Sequence, residues 1–118
     1  MMSEQSSITH FFDLVNKRDL DKLGHLLTEN AEFYFPKTRP LLGRNQIIRF
    51  FKILFRQYPE LEFKVQRKII QGETAAVHWT NQGVDKSGGP YENEGVTIIE
   101  IEGDKIKYIS DFFKGISW

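Results

Sequence analysis

Along this chain the spacing of apolar side chains changes from three or four residues to two, and that change constrains the fold more than any other feature. Ile8, Phe11, Phe12 and Val15 stand at i, i+3, i+4 and i+7, which gathers them on one face of a helix. Ser6 or Ser7 has the hydroxyl to cap an early turn, unless the helix starts further upstream. Asn16-Lys17-Arg18 breaks the pattern. Asp19 is then the expected N-cap of a second helix, with Leu20, Leu23, Leu26 and Leu27 along one side. Thr28-Glu29-Asn30 reads as its end. Ala31 to Phe35 is a short aromatic run, read as a strand stopped by Pro36, and Pro36 to Gly43 reads as a loop. A third helix is expected from about Asn45 to Gln57. Its apolar stripe is Ile47, Phe50, Phe51, Leu54, Phe55 and Tyr58, and Pro59 blocks continuation. Arg49, Lys52 and Arg56 line the other side and read as a solvated face.

From Leu61 onward the period is two. Phe63, Val65 and Ile69 begin a strand, and Gly72-Glu73 marks a turn. Ala75, Val77 and Trp79 alternate with Ala76, His78 and Thr80 in the next strand. Asp85 to Pro90, containing Gly88-Gly89, is a hairpin connection. Tyr91 to Glu102 and Lys105 to Phe113 are two further strands, joined across Gly103-Asp104. Helices followed by hairpin-linked strands predict an α+β domain with an antiparallel sheet.

Composition sets the outer bounds. The 118 residues suit one domain, 1–118, with ten Phe supplying much of the apolar area of its core. Sixteen basic and sixteen acidic side chains cancel, so no broad field favours nucleic acid or an anionic membrane. The absence of cysteine excludes disulfides, thiolate metal sites and a Cys nucleophile. The opening Met-Met-Ser-Glu-Gln-Ser-Ser lacks the basic and apolar regions of a signal peptide, and no apolar run approaches the ~20 residues that cross a bilayer. A soluble, cytoplasmic protein is the expectation.

Several segments carry a resemblance. Phe11-Phe12-Asp13-Leu14-Val15-Asn16-Lys17-Arg18-Asp19-Leu20-Asp21 contains an Asn-x-x-Asp break between two helices. Gly43 precedes Ile47 and Phe50-Phe51. Tyr91-Glu92-Asn93, Gly103-Asp104-Lys105-Ile106 and Asp111-Phe112-Phe113 follow in order. Over roughly Ile8 to Lys114 this arrangement resembles the SnoaL-like / NTF2-like superfamily. The resemblance implies a cone-shaped α+β fold, with three N-terminal helices packed on a curved antiparallel sheet around an apolar cavity. It does not imply one reaction, because the superfamily hosts isomerases, cyclases, epoxide hydrolases, dehydratases and non-catalytic binders.

Ketosteroid isomerase, one member, uses a carboxylate base with a Tyr and a protonated Asp as oxyanion donors. By resemblance those positions fall at Phe35, Phe11 and near Thr97, and phenylalanine neither abstracts a proton nor donates a hydrogen bond. The carboxylate that ends the last strand in polyketide cyclases falls at Lys114. The Arg-x-Asp triplet of the limonene-epoxide-hydrolase type is absent from the sequence. What remains is Asp111, between Ile109 and Phe113 on one strand face, where desolvation raises a carboxyl pKa. It is the candidate catalytic base or ligand anchor, with a structural carboxylate as the alternative. His78 titrates in the useful range. Together with Tyr34, Tyr91 and the cavity-wall residue Trp79, it completes the candidate ligand-binding set. Surface or packing roles are the alternatives for these four.

His10, His25 and His78 are too scattered for a metal site, and no cofactor is implied. Asp85-Lys86-Ser87-Gly88-Gly89 is a turn rather than a phosphate loop. Two functional readings follow: a binder of a small apolar molecule, with isomerase- or cyclase-like acid–base chemistry, or a non-catalytic module that associates through its sheet. Both predict a homodimer.

Overall fold

The computed structural model describes residues 4–115, with side chains from Ser7 onward; Met1-Met2-Ser3 of the polar opening lie outside them. Helix α1 (Glu4–Lys17) buries Ile8, Phe11, Phe12, Leu14 and Val15. The helix is under way from Glu4, so Ser7 lies inside it rather than capping it; its hydroxyl donates to the Asp104 carbonyl at 3.3 Å. The break after α1 is also a clamp. Asn16 Nδ2 donates to the Phe63 carbonyl at 2.9 Å and its Oδ1 accepts from the Phe63 amide at 2.8 Å. Asp19 caps α2 (Leu20–Leu26) as expected, accepting from the Lys22 amide at 3.3 Å.

From α2 the chain passes directly into β1 (Leu27–Tyr34). Thr28-Glu29-Asn30 therefore belongs to a strand and does not end the helix. Leu27 opens that strand by pairing with Ile106 at the centre of the sheet, a contact distant in sequence that overrides the local polar signal. A two-residue strand, β2 (Leu41–Leu42), lies within the segment read as a loop and pairs with Phe33 and Glu32 of β1. Gly43 then turns the chain at φ 99°, a conformation that favours glycine, into α3 (Arg44–Gln57). The remaining elements are β3 (Glu62–Gln71), β4 (Thr74–Val84), β5 (Pro90–Glu102) and β6 (Lys105–Phe113).

Strand order is β2-β1-β6-β5-β4-β3. The sheet is not wholly antiparallel, as the sequence had suggested: β1 and β6 run parallel, with Phe33 beside Ile109 and Tyr34 beside Ser110. The β3–β6 meander brings the chain back alongside β1 in the same direction. As the sequence predicts, a strand separates the second helix from the third; the short β2 lies there as well.

One face of the sheet meets the helices. Ala75, Val77 and Trp79 of β4, Thr97, Ile99 and Ile101 of β5, and Ile106 and Ile109 of β6 are buried on it. The aromatic side chains interlock there: Phe33 lies 5.4 Å from Phe50 and 5.6 Å from Phe51, and Phe63 lies 5.0 Å from Trp79. The Phe33–Phe50 and Phe63–Trp79 pairs meet edge to face, a geometry that adds to the area they remove from water. Among the described residues, no helix covers the other face.

Candidate functional site

A β-bulge decides which way Asp111 points. The Gly103-Asp104 turn pairs Glu102 with Lys105 and Ile101 with Ile106. If that register continued, Asp111 would stand opposite Val96 on the outer face. The register instead shifts between Glu100 and Ile101, so that Tyr108 pairs with Glu100 and Asp111 with Thr97. One extra residue in a strand reverses every side chain beyond it. Ile109, Asp111 and Phe113 consequently face the helices, and Phe112 is turned outward, 59 % exposed.

On the inner face Asp111 is part of a short polar chain in an apolar wall. The Trp79 indole Nε1 donates to Thr97 Oγ1 at 2.7 Å, and the Thr97 hydroxyl donates to Asp111 Oδ1 at 2.6 Å. Trp79 and Thr97 are buried, which leaves the two hydrogen bonds with little competition from water. Asp111 is half-buried as a residue, but its carboxyl lies deep enough for desolvation to push its pKa up to about 7; the Thr97 hydrogen bond pulls the other way. Around it, Phe113 packs edge-on to Phe35 and to Trp79, each at 5.2 Å. A carboxyl poised near neutrality can take a proton, return it, or donate a hydrogen bond as the neutral acid.

Further along the inner face the polar groups gather again. Asn81 pairs with Asn93, and Gly83 with Tyr91. The Tyr91 ring lies 4.6 Å from that of Tyr58, and burial raises its phenol pKa. Asn93 ties Tyr91 to the last described residue: its Nδ2 donates to Tyr91 Oη at 3.4 Å and to the Gly115 carbonyl at 3.3 Å. Asn81 is buried, and among the described residues its Oδ1 accepts no hydrogen bond.

The structure thus divides the residues singled out from the sequence. Asp111, Trp79 and Tyr91 share the inner face. Tyr34 and His78 do not join them, correcting the expectation that either would place a substrate beside Asp111. Tyr34 alternates with the buried Phe33 and so faces outward, its ring 5.4 Å from Tyr108 and its hydroxyl donating to Glu32 at 2.5 Å. His78 alternates with Trp79 and meets Glu94 through Nε2. Lys114 reaches the same Glu94 at 3.2 Å, and the two partners hold the Glu94 carboxyl below its ordinary range, His78 first. Phe11 and Phe35 are packing residues of the interior. Asn81 was not legible as a site residue; the resemblance had put a family position near Thr97, but Thr97's partnership with Asp111 depends on cross-strand register. A count from the Gly103-Asp104 turn would have found Thr97 only with the bulge known.

Among the described residues, clefts open at several places that Asp111 does not line. They lie on the outer sheet face around Glu94 and Lys114, between α2 and α3, at the β3–β5 edge by Glu60 and Tyr91, and beside His10 and Lys105. Among the described residues no group of three His, Asp or Glu is arranged to hold a metal, and no helix is long and apolar enough to cross a membrane.

A family model described as the SnoaL-like domain matches residues 8–109. The chain belongs to that family. Its fold is also that of several solved structures. A putative SnoaL-like polyketide cyclase from Jannaschia sp. CCS1 superposes with a TM-score of 0.85 at 20 % identity, over 94 % of this chain and 85 % of that one. An NTF2-like protein of unknown function from Burkholderia pseudomallei K96243 gives 0.88 at 16 %, over 97 % and 92 %. TerC, co-crystallised with polyporic acid, gives 0.86 at 16 %, over 94 % and 91 %. At these identities the likeness concerns the fold. A comparison with curated proteins finds no match. SnoaL-like membership accounts for the α+β fold and by itself names no reaction.

Proposed function

We propose that this SnoaL-like protein binds a small, largely apolar, cyclic or carbonyl-bearing molecule against the inner sheet face, with Asp111 as the acid–base group. The observation that carries the reading is the Asp111 carboxyl itself, raised to about 7 in an apolar wall and oriented by Thr97. In this reading the neutral acid donates a hydrogen bond to a ligand carbonyl, and the ionised form removes a proton from the carbon beside it. Trp79 and Phe113 supply the apolar wall, and Tyr91 and the free Asn81 acceptor hold polar groups at the far end. TerC, crystallised with polyporic acid, lends support to an organic occupant for this fold. Ligand-observed NMR with a panel of cyclic ketones and phenols tests the proposal. Binding to the wild type that weakens about tenfold or more in Asp111→Asn supports it. Equal binding to both proteins sinks it.

The outer face supports a second, compatible reading as a homodimer surface. Register sets Ile69, Ala76, Ile98 and Ser110 in one row across four strands, beside Val96 and Phe112 in the next. Ile69 is 62 % exposed and Phe112 59 %, an apolar patch on a helix-free sheet face that a second copy would cover.

A further inference from the structure

We propose that the cleft between α2 and α3 is a separate site for an organic anion: a small molecule carrying a carboxylate or phosphate on an apolar body. The inference is independent of the Asp111 site, which lies on the other side of the helical layer.

The chain is neutral overall, but this cleft is not. Arg44, Arg49, Lys52 and Arg56 of α3 and His25 of α2 line it, against one carboxylate, Asp21. Arg49, Lys52 and Arg56 stand at i, i+3 and i+7, so they project along one side of the helix as neighbours of like charge. Among the described residues none of the four α3 cations has a carboxylate within ion-pair reach, although the chain has as many acids as bases. Arg44 is different from the other three because it is held in place. Its Nη2 donates to the Leu27 carbonyl at 3.0 Å, while its Nε is buried with no acceptor among the described residues. Held this way, the guanidinium fixes a positive charge in the cleft wall, and its unmet N–H demand favours an oxyanion nearby.

The floor has the opposite character. Gly24 brings the two helices close, where a Cβ would stand 3.7 Å from Ile48, and Ile48, Leu20 and Ile53 supply apolar surface. Ile53 is 43 % exposed. A cavity of about 670 Å³ falls within the span of small-molecule sites, roughly 300–1,000 Å³. Cations around an apolar floor select an amphipathic anion over inorganic phosphate, and over a neutral molecule of the same length.

The test is a titration of the ¹⁵N-labelled full chain, followed by NMR, with hexyl phosphate, hexanoate, inorganic phosphate and hexanol in parallel. Saturable shifts confined to Leu20–His25 and Arg44–Arg56 are expected with one or both hexyl anions. Affinity should be at least about tenfold above that for inorganic phosphate or hexanol. The tighter of the two hexyl anions identifies the headgroup class. In Arg49→Gln/Lys52→Gln, whose side chains are exposed and whose spectrum should stay native, the same anion should bind about five- to twentyfold more weakly. Shifts scattered over unrelated lysines and arginines, failure to saturate, equal binding of hexanol, or an unchanged affinity in the double variant would each overturn the proposal.

Discussion

Asp111 works against the stability of its own fold at neutral pH, and this has a sign that can be checked. Its folded carboxyl, at about 7, binds a proton more tightly than in the unfolded chain, where the value is about 4. The stability associated with the neutral form is fully present below about pH 4. It is lost as the pH rises toward 7, and the curve is flat above. Asp111→Asn, followed by urea unfolding, should lack that slope. Relative to wild type it should gain on the order of 2–4 kcal/mol between pH 4 and pH 8. Its ligand-dependent turnover, where a substrate is found, should fall by roughly 10²–10⁴-fold. Thr97→Val is the complementary change. It keeps the shape but leaves the Trp79 N–H without its acceptor, so unfolding should become easier by about 1–3 kcal/mol. The midpoint of Asp111 should move further up, because the lost hydrogen bond was the one lowering it. At this scale the sequence identified Asp111 by its apolar flanks, Ile109 and Phe113. The resemblance pointed near Thr97, but its hydrogen bond to Asp111 exists only through pairing.

At the scale of elements, the periodicity placed β3 to β6 closely, because hairpin turns such as Gly72-Glu73 and Gly103-Asp104 set the strand ends locally. It failed where distant pairing decides. Leu27 to Asn30 is drawn into β1, and Leu41-Leu42 into β2, by partners a local pattern does not contain. Bulges were equally hidden. The register shift between Val65 and Arg67 turns Ile69 away from the face shared by Phe63 and Val65, and the one in β6 turns Asp111 inward. A close approach between strands gives a direct test of this packing. Gly95 pairs with Trp79, and a Cβ there would lie 2.4 Å from the Phe112 carbonyl and 2.7 Å from the indole. Gly95→Ala should therefore displace Trp79 from Thr97. It should cost about 1–3 kcal/mol in denaturant unfolding and change the tryptophan fluorescence; an unchanged midpoint would show the strands to be less tightly apposed.

For the whole molecule, the sheet separates the two proposals: the acid–base reading concerns the face toward the helices, and the dimer reading the face away from them. The change of apolar period and the order of elements made the α+β fold legible, and net neutrality made a nucleic-acid partner unattractive. Neither told which side chains fell on which face, so Tyr34 and His78 were grouped with Asp111 across a sheet that keeps them apart. The outward patch leads to a prediction in solution. Light scattering should give a dimer mass for the wild type and a monomer mass for Ile69→Lys/Phe112→Glu, with circular dichroism unchanged, because both side chains are exposed in the single chain. A wild-type monomer would remove the outer-face reading without touching the inner one. The inner reading rests on one titration: the Asp111 side-chain carboxyl carbon, followed by ¹³C NMR from pH 3 to pH 9. A midpoint near 7 that moves when a cyclic ketone binds is the result expected of a desolvated acid–base group. A midpoint near the ordinary value of about 4, indifferent to any ligand, would mean a solvated structural carboxylate and would contradict the account.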